Sequence, residues 1–497
     1  MYVSRLLLKS LRSPRPRSCK QGIAASPQVS LRYFIHTFGC QMNAHDSERM
    51  AEVLRTHGAT QASTLEDADL IVFNTCSVRE KAEQKLRSEV GKLLPLKRAR
   101  PDLVIAIAGC VAQQEGERLL KSIRHVDLVI GPDNLAELPA LVAAHQAGAP
   151  PAVRTVFDLD NPEFLQAAPE PGTVPASVFV TTMKGCDERC SFCIVPTTRG
   201  PERYRPSSAI VDEIAQWVAA GAREVTLLGQ TVDSYRDPCL APPASDDPDE
   251  TQFPTLLRLI ASKVPGLARL RYTSPHPRHA TESLARTHGD LDVLAHHVHL
   301  PVQSGSDRVL RRMIRRYTRQ EYIERTTRLR RFRPGLTLST DIIVGFAGET
   351  DQDFAETLSL IAEIGFTSLF AFKYSPRPGT PALRLGDDVP ESVKSERLAR
   401  LFELSEAQQR AHLQSLVGTT QTVLIEGPSK SGNMVQGRTQ RNEIVHVGEA
   451  RHLAHLAHGL VEVRIERANK HSLVAYSVAN SETKPHRFLP LLQERQQ

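Results

Sequence analysis

The chain has 497 residues, 40% hydrophobic and 24% charged, a composition typical of water-soluble globular domains with room for about two to four cores. No apolar run approaches bilayer-spanning length, so no membrane partner is expected. The formal charge of +6 is local: residues 1–36 hold seven Lys/Arg and no acid, leaving −1 for the remainder. Any nucleic-acid surface must therefore be a patch.

Residues 1–32 are rich in Arg and Ser, and their Leu6–Leu8 run is too short for a secretory signal. They are expected to be disordered. They suit either an organelle presequence, which would direct the protein to the mitochondrial matrix, or an extension on a bacterial-type cytoplasmic protein. The eight cysteines read as ligands in a reducing compartment rather than as a disulfide framework.

From Tyr33 the pattern changes. Y-F-I-H-T-F-G-C, A-D-L-I-V-F-N-T-C and L-V-I-A-I-A-G-C each end in a cysteine: Cys40, Cys76 and Cys110. Helical patterns lie between them, over 44–57 before Gly58 and over 78–94, where Val78, Ala82, Leu86, Val90 and Leu93 recur at helical spacing. Alternating strands and helices predict a parallel α/β domain over 33–147. Strands of such a sheet end on one edge, where ligands bind, so the three cysteines are expected to meet. One alone would read as a buried core cysteine; three in the same position read as ligands of an iron–sulfur cluster with one iron left open. Residues 148–176, with six prolines, read as a linker.

Next comes V-F-V-T-T-M-K-G-C-D-E-R-C-S-F-C-I-V-P-T-T-R-G, residues 178–200, with Cys186, Cys190 and Cys193 spaced C-x3-C-x2-C. Three thiolates on one loop suit three irons of a cubane, and the fourth iron keeps an open position for a substrate. A structural zinc site would want a fourth Cys or His, and no His lies between His145 and His276. Candidate strands follow at 178–183, 223–228, 268–273, 297–302, 336–344 and 367–374, with helical patterns such as 208–220 and 351–364 between them. Six parallel units predict a partial (βα)6 barrel over 177–405. Residues 236–252 read as a surface insertion, which makes Cys239 a bystander. Several strands end in polar or Gly text, L-L-G-Q, P-V-Q-S-G-S and S-T-D-I-I-V-G-F-A-G-E-T, at the face where barrel sites gather.

Residues 308–333 contain eleven arginines and two glutamates. Over 308–317, Val309, Leu310, Met313, Ile314 and Tyr317 would take one helical face and Arg308, Arg311, Arg312, Arg315 and Arg316 the other. The arginines suit either a solvated face or a phosphate-binding one. Residues 391–416 read as a helical connector. Five short β runs, 419–426, 433–438, 443–447, 459–467 and 472–477, predict a small OB-like barrel within 406–480, followed by a disordered tail over 481–497.

The cysteine loop resembles the signature of the radical S-adenosylmethionine (SAM) enzymes, and K-G-C-D-E-R-C-S-F-C-I-V-P-T-T-R-G resembles their methylthiotransferase subgroup. T-F-G-C-Q-M-N-A-H-D-S, N-T-C-S-V-R-E-K-A-E and A-G-C-V-A-Q resemble that subgroup's N-terminal domain. The last β runs, through Q-G-R-T-Q-R-N and A-N-K-H-S-L, resemble the RNA-binding TRAM domain. The likeness spans residues 33–478. It implies two 4Fe–4S clusters, an auxiliary one at Cys40, Cys76 and Cys110 and a radical-SAM one at Cys186, Cys190 and Cys193, with no catalytic residue beyond these ligands. It also implies SAM as cofactor, held at Gly229, Gln230, Gln303, Ser304, Thr340, Asp341 and Gly345. Ala347 and Thr197 depart from the subgroup's usual text and affect only local loop shape.

Gln41, Arg79, Glu80, Gln303–Ser306 and G-Q-T-V-D-S-Y (229–235) resemble the MiaB type, which methylthiolates C2 of N6-isopentenyladenosine beside the tRNA anticodon. Relatives acting on threonylcarbamoyladenosine or on a ribosomal protein are the alternatives, as is a non-catalytic iron–sulfur RNA-binding protein. The resemblance implies tRNA, an electron donor such as flavodoxin or ferredoxin, and a sulfur donor as partners of a monomer. Arg311, Arg312, Arg315 and Arg316 are the expected tRNA contacts, with Arg199, Arg203 and Arg205 as a second set.

Overall fold

A computed structural model describes residues 31–77, 80–159, 164–165, 169, 174–243, 245–429, 434–448 and 459–477. The expectations for residues 1–30 and for the tail beyond 477 lie outside these, as do Val78 and Arg79. No described helix is long and apolar enough to cross a membrane.

The N-terminal module is one parallel sheet of six strands: β1 (Arg32–Phe38), β2 (Thr60–Gln61), β3 (Leu70–Thr75), β4 (Val104–Ala108), β5 (Leu128–Ile130) and β6 (Ala152–Arg154), in the order β2-β1-β3-β4-β5-β6. Every residue of β3 and β4 is buried, because helices cover both faces and leave no solvent side to demand alternation. Two apolar clusters lie on the two faces, one around Phe73, Ile105 and Leu86, the other around Val72, Ala106 and Met50. β6 extends this sheet into the stretch expected to be linker: Leu128 pairs with Ala152 and Ile130 with Arg154. Two prolines precede the strand and leave its ladder donors intact.

The central module repeats strand and helix six times. Strand β7 (Ser177–Thr181) is followed by the short antiparallel pair β8 (Met183–Lys184) and β9 (Arg203–Tyr204). Then come β10 (Glu224–Leu228), β11 (Arg269–Tyr272), β12 (His297–His299), β13 (Thr337–Val344) and β14 (Ser368–Lys373). Strands β7, β10 and β11 form one parallel sheet and β12, β13 and β14 another. The amides of Leu270 and Ala295 join them, donating to Val293 at 2.7 Å and Leu270 at 3.0 Å. Strands β7 and β14 do not pair, so the six-stranded wall stays open on that side. The helix Asp351–Ile364 shows how local sequence sets these units. Thr350 and Asp353 form a capping box at its start, and Gly365 at φ 65° ends it in the left-handed region.

The C-terminal module is a closed barrel of β15 (Thr420–Pro428), β16 (Val435–Thr439), β17 (Ile444–Val447), β18 (Leu460–Ala468) and β19 (Leu473–Ser477), in the order β15-β16-β17-β19-β18. It follows the 25-residue helix Glu391–Ser415. Its β16–β17 hairpin docks against the N-terminal ends of β11 and β12: Arg269 and Arg271 donate to the carbonyls of Arg438 and Thr439, and Gln440 accepts from the His296 amide.

Candidate active site

Three strand ends bring Cys40, Cys76 and Cys110 together. Phe38 pairs with Thr75 and Asn74 with Ala108, so the cysteines just beyond those pairs share one edge. Gly39 and Gly109 stand before two of them at φ 135° and 89°. A side chain at Gly39 would strike Cys76 and one at Gly109 would strike Asn74, each at 2.3 Å, so only glycine allows the strands to turn here. Beneath the thiols two asparagines interlock: Asn43 Nδ2 donates to Asn74 Oδ1 at 2.9 Å, and Asn74 Nδ2 donates back to the main-chain carbonyl of Asn43 at 2.7 Å. Cys76 lies within hydrogen-bond reach of Cys40 and holds the Cys40 thiol down at about 6.

The second trio sits on the loop after β8. Each sulfur has a polar neighbour: Thr231 Oγ1 lies 2.9 Å from Cys186, Arg315 donates to Cys190 at 3.2 Å, and the Val195 amide donates to Cys193 at 3.4 Å. Burial pushes the Cys186 and Cys193 thiols up to about 12. Such partners orient metal-bound thiolates and tune the metal. The loop is pinned from behind, where Ser191 gives its amide to Met313 O at 2.9 Å and its hydroxyl to Arg312 O at 2.7 Å, and its carbonyl accepts from the Ala382 amide at 2.8 Å.

Among the described residues no three His, Cys, Asp or Glu converge tightly enough to hold a single metal ion. Cys239 is exposed and belongs to neither trio.

The SAM-pocket expectations divide. Gln230 lies against the cysteine loop, its Oε1 accepting from the Gly185 amide at 2.5 Å, and a side chain at Gly229 would strike Met183 at 2.8 Å. Gln303, at φ 75°, and Asp341 meet at the ends of β12 and β13 through a 2.9 Å backbone hydrogen bond. The other three point elsewhere. Ser304 is fully buried beside Thr357, and Thr340 is turned into the wall, donating to Leu300 O at 2.9 Å. Gly345 lies under Lys394, which a side chain there would strike at 2.3 Å. Of these only Thr340 lies within a strand, and alternation along β13 turns it to the opposite side from Asp341.

Around this mouth four buried polar atoms have no hydrogen-bond partner among the described residues: Gln230 Nε2, Glu188 Oε2, Asp233 Oδ2 and His276 Nε2. Burial raises the Asp233 carboxyl and lowers the His276 imidazole, the latter helped by Arg315. Unsatisfied donors and acceptors beside three thiols fit a zwitterionic ligand such as SAM. Ser274, Gln303 and Ile314 all hold positive φ around the same face, backbone strain of the kind that clusters at functional sites.

The arginine expectation needs correction. The helix runs only over Asp307–Arg312, and Ile314, at φ 56°, breaks it and turns outward. Arg315 is therefore 7% exposed and faces Cys190, Tyr317 and the Pro301 carbonyl. Arg312 donates to Ala347 O at 2.9 Å; Arg311 and Arg316 remain exposed. Acids distant in sequence neutralise much of the rest: Arg308 pairs with Asp353, Arg319 with Glu363, Arg325 with Asp249 and Arg333 with Asp292. Arg199, Arg203 and Arg205 are all buried and offer no tRNA surface.

Arg199, expected among the tRNA contacts, instead joins the two cysteine trios. It ends the helix Val195–Arg199, directly after the cysteine loop, yet reaches into the N-terminal module. Its Nε donates to Cys110 at 3.4 Å and its Nη2 pairs with Asp46 at 2.5 Å. Burial opposes its charge, but Asp46 and the Cys110 thiol outweigh it and raise its pKa. The signal was present in the T-T-R-G and N-A-H-D-S text, but nothing local to either motif says that they meet.

A half-open (βα)6 wall with a C-x3-C-x2-C loop at its mouth defines a radical SAM enzyme. Residues 180–361 match the Radical SAM superfamily, residues 414–476 the TRAM domain, and residues 32–131 an uncharacterised family, UPF0004. A radical S-adenosylmethionine methyltransferase, TsrM, from Kitasatospora setae shares the fold at a TM-score of 0.51 and 14% identity, over 79% of this chain and 78% of that one. A tRNA-2-methylthio-N(6)-dimethylallyladenosine synthase from Sorangium cellulosum is 64% identical over 89% of this chain and 93% of its own length. One from Bordetella petrii is 46% identical over 89% and 91%. The chain belongs to the tRNA-2-methylthio-N(6)-dimethylallyladenosine synthase family, radical SAM methylthiotransferases whose cofactors are SAM and two 4Fe–4S clusters.

Proposed function

We propose that the protein methylthiolates C2 of N6-isopentenyladenosine in tRNA. The observation that carries this reading is the pairing of two cysteine trios across one short segment: the helix that follows Cys193 ends in Arg199, which touches Cys110. When bound, the cluster at Cys186, Cys190 and Cys193 supplies reductive cleavage of SAM to a radical that can break a strong C–H bond, and the cluster at Cys40, Cys76 and Cys110 supplies the sulfur. The chain's own residues hold these groups apart and in place. Gln230 and Gly229 shape the mouth beside Cys186, and Gln303 and Asp341 border it from β12 and β13. The Asn43–Asn74 lock fixes the edge that presents Cys40, Cys76 and Cys110. Arg311 and Arg316, exposed beside the mouth, are the proposed phosphate contacts.

The test is mass analysis of isopentenylated tRNA after incubation with anaerobically purified enzyme, SAM and a reductant. The expected product carries one added methylthio group. Cys76→Ala is expected to cleave SAM to deoxyadenosine yet form no methylthio product. Normal product from that variant would remove the sulfur-carrying role from the first trio.

A further inference from the structure

Strand β14 presents an unusual face. Leu369 and Ala371 pack toward the helices outside the wall, and Lys373 reaches Glu391 and Ser395 of the helix Glu391–Ser415. By alternation, Phe370 and Phe372 point the other way, into the lumen. Their register partners, Asp341 and Ile343, share that side. Phe370 is 53% exposed and Phe372 37%, high values for phenylalanines on a barrel strand. The strip continues toward the chemistry. Ile343, beside Phe372, packs on the cluster of Val309, Met313, Phe346 and Tyr374, and Phe192 of the cysteine loop packs on the same cluster, with its ring 6.5 Å from that of Phe346. An apolar, aromatic track thus leads from the unpaired edge at β14 to the loop carrying Cys190 and Cys193. His299 stands edge-on to Phe370, with the ring centroids 5.9 Å apart.

We propose that Phe370 and Phe372 form the seat for the isopentenylated adenine, with Phe370 stacking on the purine and Phe372 lining the way for its five-carbon chain. This rests on the methylthiotransferase function proposed above. A flat aromatic base with a branched hydrocarbon tail matches two exposed phenyl rings on the open side of the wall. Burying exposed apolar surface supplies affinity, and aromatic faces are what flipped-out bases stack on. The seat would also explain selectivity: a plain adenine leaves the Phe372 end of the strip wet, whereas a prenylated one dries it.

The test compares Phe370→Ala, Phe372→Ala, Phe370→Leu and, as an external control, Phe402→Ala, an exposed phenylalanine on the helix Glu391–Ser415. Steady-state methylthiolation is measured on isopentenylated and on unprenylated tRNA, with KM recorded separately for tRNA and for SAM. Phe370→Ala is expected to raise the KM for isopentenylated tRNA roughly 5- to 100-fold, the effect of losing one base–aromatic stack. Phe372→Ala is expected to narrow the preference for the prenylated over the plain tRNA. Phe370→Leu, which keeps a large apolar side chain, covers the case in which alanine loosens the strand, and should lose stacking but remain folded with full iron content. Phe402→Ala should match wild type. Unchanged tRNA KM and unchanged preference in all β14 variants would overturn the seat. So would a rise in the KM for SAM alone, which would give the strip to the cofactor's adenine. Failure of the wild type itself to modify isopentenylated tRNA would instead overturn the function on which the seat rests.

Discussion

Each cysteine trio has one buried guanidinium against one of its sulfurs. Arg315 donates to Cys190 at 3.2 Å and Arg199 to Cys110 at 3.4 Å. A charge-assisted donor in a dry site is strong, and a fixed positive charge stabilises whichever state of its neighbour is more negative. Reduction adds negative charge, so Arg315 should raise the potential of the metal group held at Cys190. Replacement by Gln removes the charge, and the reduced form becomes harder to reach. The expected outcome for Arg315→Gln is a fall in midpoint potential on the order of tens of millivolts, read by a redox titration followed by electron paramagnetic resonance. Arg315→Lys should keep part of the effect, since the charge survives while the fork geometry is lost. An unchanged potential in Arg315→Gln would reduce the residue to a brace for Tyr317 and Pro301.

At the scale of an element, the segment that begins with the helix Asp307–Arg312 separates two kinds of arginine that look alike in the text. Arg311 and Arg316 are exposed, whereas Arg315 is not. Phosphate contacts release counterions, so replacing both exposed arginines by Gln should flatten the slope of log affinity for tRNA against log salt by roughly one to two units. Iron content should be unchanged, because exposed charges contribute little to stability. Equal slopes for wild type and variant would make these residues solvated bystanders. The sequence pattern misled here for a definite reason: helical periodicity assigns faces only while the helix lasts, and a β-branched residue at φ 56° ends it after Arg312. Elsewhere the pattern was legible where one rule dominates. Fully buried parallel strands, glycine-before-cysteine turns and the Thr350 cap all follow from local text. What stayed hidden was contact between distant segments: Arg199 with Asp46, β6 returning to the first sheet, Ser304 beside Thr357, Thr340 against Leu300 and Gly345 under Lys394. The side a strand-end residue faces depends on register, which no single stretch records.

At the scale of the whole molecule, buried charge joins the modules. Asp46 meets Arg199 and Asp133 meets Lys184 and Arg203 between the first and second. Between the second and third, Glu224 on β10 pairs with Arg269 at 3.0 Å and Arg271 at 2.9 Å, and those arginines hold the β16–β17 hairpin by its carbonyls. Burial opposes ionisation of Glu224, but Arg271 and Arg269 outweigh it and keep its carboxyl below the usual range. A carboxylate so depressed contributes its full stabilisation near neutral pH and loses it only as pH falls through its lowered folded-state value. Glu224→Gln at neutral pH therefore strands two guanidiniums in a dry interface, which costs about 3–5 kcal/mol for a broken buried pair. The loss should fall on the docking of the C-terminal barrel, and limited proteolysis should release that barrel faster than from wild type. Glu426→Gln supplies the comparison: its partner Arg438 lies in the same hairpin, but both side chains are about a quarter to a third exposed, so the change should stay within about 1 kcal/mol. Release from Glu224→Gln no faster than from Glu426→Gln would show that the hairpin is held by its backbone and apolar contacts and that the buried ion pairs do not fix the third module to the second.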